Sequence, residues 1–262
     1  GVLTDLVSWR AAFIAPGIIS VLTGFAFLVL VPKIVQAEKA SKSASDNLIG
    51  EKKQNGVLLL LTLIILASAC AGLIYQSAAV GMPKVFATRL SFLDGAVLGV
   101  GGLVSLVYLI GAAGQMIGGW FADKYPLRLL FTLMFTIHVP LLLVASIAGD
   151  WSMLFLAFCI VTLGNSVQPV ADSLVANCVP TRWHSTAFGA RFVASLGVSA
   201  CSIPLVGLIF DVTGGFVWLF VIMSILAVVA SVLAFALPKK LDVGKQGASS
   251  ISPTVITAES PI

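Results

Sequence analysis

The sequence predicts an all-α membrane protein with seven transmembrane helices, and three observations carry that reading. Of the 262 residues, 59% are hydrophobic and only 10% charged, whereas an ordinary soluble domain is about 25% charged. Seven apolar windows, bounded by charge, Pro or Gly, each reach the roughly 20 residues that cross a bilayer. None of them alternates in polarity as a barrel strand would, and only a helix pairs its own backbone groups within a segment in lipid.

The first window runs from Ala11 to Val31. The one long polar connection follows, "KIVQAEKASKSASDNLIGEKKQNG" from Lys33 to Gly56, whose five Lys, three acids and small polar residues predict a flexible solvated linker. Six windows come after it: Val57 to Gly81, Ala96 to Ile117, Leu129 to Ala148, Trp151 to Ala176, Ala187 to Phe210 and Phe216 to Leu237. Pro83, Pro140, Pro169 and Pro204 lie in or beside them and predict bends. Gly114 and Gly118 form a G-x-x-x-G step that predicts close helix approach. The Ser-, Pro- and Thr-containing stretch from Lys239 to Ile262 predicts a disordered tail. The expected division is therefore one helix in 1–32, a linker in 33–56, a six-helix bundle in 57–238 and a tail in 239–262.

Basic residues set the expected orientation. With the linker cytoplasmic, Lys33, Lys39, Lys42, Lys52, Lys53, Lys124, Arg128, Arg182, Arg191, Lys239, Lys240 and Lys245 share its side, and Arg10, Lys84 and Arg89 take the other. Twelve against three, of the 15 cations present, is a positive-inside pattern that puts the C-terminus in the cytoplasm of a cell membrane, plasma or bacterial inner. Topology thus accounts for the formal charge of +4, and nucleic acid is not an expected partner. Cys70, Cys159, Cys178 and Cys201 form no CxxC pair, so neither a metal site nor a disulfide framework is expected. No cofactor motif appears, and the lipid bilayer is the expected surrounding.

The stretch "GGWFADKYPLR", Gly118 to Arg128, puts three charges between two uncharged runs. Orientation explains Lys124 and Arg128 but not Asp123, because acids contribute little to it. Gly119, Ala122, Asp123, Lys124 and Arg128 stand at the spacing of G-x-L-A-D-R-x-G-R-R, so the stretch resembles the cytoplasmic turn signature of the major facilitator superfamily. Phe121 stands in place of the Leu, Pro126 in place of the Gly and Leu127 in place of one basic residue. "WRAAF", Trp9 to Phe13, resembles the start of helix six in that family, and the Lys-rich linker its central cytoplasmic loop. "PVADSLVANCVPTRWHSTAFGARF" resembles helix ten, its loop and the start of helix eleven. The resemblance implies helix six followed by helices seven to twelve, the last six forming the C-terminal half-bundle of a major facilitator fold. It also implies a fragment that lacks helices one to five, with the N-terminal half as its partner.

Ionisable and polar groups inside spans are costly and are read as functional candidates. Asp172 lies 21 positions after Trp151, about 31 Å along a helix, a depth that suits a gate or an interfacial acid better than a central pocket. Asn165, Gln168 and Asp172 recur at i, i+3 and i+7 on one face. Arg191, Ser195, Ser199 and Ser202 share another, either as helix packing or as cavity lining, and Arg191 has the option of snorkelling. Tyr75, Gln76, Tyr108, Asn165 and Gln168 are the candidates for a substrate cavity. His138, with no acidic neighbour in sequence, reads as structural. The resemblance further implies a cytoplasmic charge relay of Asp123, Lys124, Arg128 and Asp172, in which Arg128 bridges to Asp172 with Arg191 as the rival partner.

The function these features imply is secondary active transport of a small-molecule substrate by alternating access. No Gly-x-Ser-x-Gly elbow, paired intramembrane aspartates, His-Glu zinc pattern or P-loop occurs, so neither an enzyme nor ATP-driven transport is expected. The alternative is a non-transporting scaffold or receptor built on the same fold. By itself the chain is expected not to transport, because a second bundle completes the cavity.

Overall fold

A computed structural model describes residues 10, 14, 16–27, 54–91, 99–179 and 183–238. The helices are α1 (Pro16–Phe27), α2 (Gln54–Arg89), α3 (Gly99–Lys124), α4 (Leu127–Ile147), α5 (Asp150–Cys178), α6 (His184–Ala200), α7 (Ser202–Thr213) and α8 (Val217–Phe235). Most of the 33–56 linker, the "WRAAF" stretch other than Arg10, Arg182 and the 239–262 tail lie outside the described residues. Within those residues the chain is all helical, and six helical segments are long and apolar enough to cross a membrane. The segment Pro16–Phe27 is shorter than a span over its described length.

The apolar windows locate the helices but not their ends. Helix α2 continues past Gly81 and through Pro83 for 36 residues, to Arg89. Its last turns carry Lys84 over the ring of Phe210, 3.4 Å from the centroid, and Arg89 near Phe220. Long basic side chains let a helix run beyond the apolar stretch because their stems lie on apolar neighbours. The window Ala187 to Phe210 is interrupted instead. At Cys201 the backbone N–H bonds Val198 O at 3.1 Å, three residues back rather than four, and a new segment begins at Ser202. Pro204 lies in the first turn of that segment, where a missing N–H costs least.

The six spanning segments alternate in direction. At one end α3 turns into α4 through Tyr125 and Pro126, close to the last turn of α8; at the other, Arg89 meets the turn from α4 into α5. Helix α3 packs chiefly on α5, α6 on α2, and α4 on α8. This is the pattern expected of two three-helix repeats, α2–α4 and α5–α8, each lending its second helix to the first helix of the other. Two apolar clusters fill the interior: one around Phe86, Leu142, Met153 and Phe220, the other around Phe131, Phe135, Leu174 and Leu237. The outside is apolar as well, with Leu109, Met116, Ile147 and Phe155 exposed, as lipid contact requires. Exposed Trp120 and Trp183 lie at the Lys124 end, and exposed Trp151 and Trp218 at the Arg89 end, where amphipathic rings favour membrane interfaces.

The closest packing is between α3 and α5. A Cβ on Gly118 would lie 2.5 Å from Ser166 O, and one on Gly114 would run into Thr162 O. The gap left by their absent side chains lets Ser166 Oγ donate to Gly114 O at 2.7 Å across the interface. The G-x-x-x-G step is thus a backbone-to-backbone contact.

Candidate functional site

The buried stripe of α6, Ala187, Arg191, Ser195 and Ser199, repeats every four residues and faces the bundle. Ser195 Oγ donates to Ser68 O on α2 at 3.2 Å, beside Gly72, where a Cβ would meet Ser195 at 2.5 Å. These serines pack a helix interface, and Ser199 bonds its own helix at Leu196 O. Arg191 sits in the same stripe, and its side chain is 1% exposed.

Two residues one turn apart on α5 receive it. Arg191 Nη1 donates to Asp172 Oδ1 at 2.5 Å, and Nη2 to Gln168 Oε1 at 2.5 Å. The guanidinium also lies 5.1 Å from the ring of Phe192. Nε, buried, has no partner. Arg191 therefore does not snorkel; it crosses from α6 to α5 as a planar fork, the geometry that suits a guanidinium to paired oxygens. Asp172 is six residues before Cys178, about 9 Å inside that end of α5 at 1.5 Å per residue. Its side chain is 42% exposed, so the pair has one sealed member and one open to the surroundings.

The expected bridge from Arg128 to Asp172 is corrected by this geometry. Arg128 Nη2 donates to Phe235 O at 2.5 Å, and its guanidinium lies 5.1 Å from the ring of Phe235. It caps α8, where unpaired carbonyls and the negative helix end attract a cation. The first turn of α4 lies over the end of α8, which commits Arg128 there, whereas the buried face of α6 turns Arg191 toward Asp172. Asp123 is exposed and makes no hydrogen bond or ion pair among the described residues, and Lys124 lies over the ring of Trp120, 3.8 Å from its centroid. The turn residues and the intramembrane acid are thus separate groups.

The other polar candidates divide similarly. Gln168 belongs to the Arg191 network rather than to an open cavity. Asn165 is buried against α3, with Nδ2 3.1 Å from the Cβ position of Gly111. Tyr75 on α2 and Tyr108 on α3 meet edge to face with centroids 6.1 Å apart, and the buried Tyr108 hydroxyl has no partner. Gln76 is half-buried on α2.

Sequence reasoning missed a second cross-tie, at the Arg89 end. Arg89 donates to Ala145 O at 2.7 Å, Ser146 O at 2.9 Å and Ala148 O at 3.2 Å, capping α4 from α2. Asp150 Oδ1 accepts from Ser91 N at 3.0 Å and Ser91 Oγ at 2.6 Å. Asp150 has φ 47°, a left-handed conformation that Asp tolerates better than most residues. The signal was a cation at the end of one helix and an Asp directly after Gly149; nothing in linear spacing joins them.

A family model described as Major Facilitator Superfamily matches residues 1–137 and 93–258. Comparison with curated proteins and with solved structures finds no match. With that match across the chain and six helical segments suited to crossing a bilayer, the chain is a multi-pass membrane protein and belongs to the Major Facilitator Superfamily, a family of transporters.

Proposed function

We propose that the protein is a secondary active transporter of a small solute working by alternating access, in which α2–α8 form one half and an N-terminal six-helix half of the same protein forms the other. The single observation that carries the reading is the Arg191 network: a charge sealed inside the bundle, near one end, whose acidic partner remains open. Such a group is expensive in a membrane protein and is characteristic of a pathway. Its position suits a gate on the cytoplasmic side, the orientation supported by the distribution of cations. The open faces of α6 and α7, with Gly189, Gly197 and Gly207 exposed, are suited to close approach by a second bundle.

The test is flux. Cells producing the protein together with its N-terminal half are given a mixture of isotope-labelled small solutes, and movement of each is followed against cells producing an Arg191→Gln variant. At least one solute should cross faster with the unaltered protein and lose that advantage in the variant. Equal movement of every solute, with both proteins folded and in the membrane, would favour the scaffold or receptor reading.

A further inference from the structure

We draw no further inference here: the strongest candidate, the outer face of α3 on which Gly101, Ser105, Tyr108, Ala112, Gln115 and Gly119 recur at alternating steps of four and three residues, carries nothing because nothing in the structure shows what covers it.

Discussion

Arg191 and Asp172 form an ion pair in which one partner is sealed and the other is not: their side chains are 1% and 42% exposed, and Nη1 lies 2.5 Å from Oδ1. Losing the acid therefore leaves a buried, uncompensated cation, whereas losing the cation leaves a carboxylate that still reaches its surroundings.

Asp172→Asn should destabilise the protein more than Arg191→Met. Removing one member of a fully buried pair costs about 3–5 kcal/mol, and the exposure of Asp172 reduces the penalty for an isolated carboxylate. Thermal unfolding in one detergent compares the two, and the double variant should lose less than the sum of the single changes. Arg128→Met combined with Asp172→Asn should be additive within about 0.5 kcal/mol, because they share no partner. Coupling between Arg128 and Asp172 would restore the bridge that the family motif implies.

Substitutions along α3 should separate sharply by position. Gly114→Ala and Gly118→Ala place a methyl against the backbone of α5 and should cost at least about 1–3 kcal/mol, the usual range for overpacking. Gly119→Ala meets nothing within 4 Å and should be close to neutral. Unfolding midpoints that fail to order this way would mean that α3 and α5 are further apart.

The clasp at the opposite end predicts a dependence on shape more than on charge. Arg89 reaches three carbonyls through one planar group, and Lys has no such fork. Arg89→Lys should therefore speed amide exchange at the turn formed by Ala148, Gly149 and Asp150 nearly as much as Arg89→Met. Asp150→Asn should retain the turn, since Asn tolerates a positive φ and its carbonyl oxygen accepts, while Asp150→Ala should open it. Equal exchange in the Lys variant and the parent would assign the contact to charge alone.

Orientation is testable at the two tight turns. A cysteine at Gly149 has room, with its Cβ 3.8 Å from Arg89 O, and Tyr125 is exposed at the other end. In a background free of the native cysteines, an impermeant thiol reagent added outside intact cells should label position 149 and not 125. The opposite pattern would invert the topology inferred from the cations.

The sequence made the spanning helices legible because a bilayer imposes a length of apolar chain that no other constraint mimics. It was less informative about helix ends: α2 runs past its own apolar window to Arg89, with Lys84 laid over Phe210 and Arg89 reaching the carbonyls that end α4. The polar face of Gln168 and Asp172 followed from spacing, as did the stripe containing Arg191. Which cation meets Asp172 did not, because that depends on how α4, α6 and α8 lie against one another. Arg128 stood at the motif's final basic position, and the first turn of α4 placed it on Phe235 instead.

The interruption at Cys201 gives α6 the character of a lever. Its upper continuation, α7, carries Phe210 beneath the Lys84 ammonium, while Arg191 lies ten residues below the break, about 15 Å along the axis. A tilt of about 10° of α6 alone about that point carries the Arg191 backbone roughly 2.6 Å sideways. A hydrogen bond of 2.5 Å has far less slack than that before it is lost. Ser195 lies between the break and Arg191 and rests on Ser68 and Gly72 of α2, so a tilt that opened the Asp172 contact would part that helix seam as well, and the ion pair and the α2–α6 seam stand or fall together.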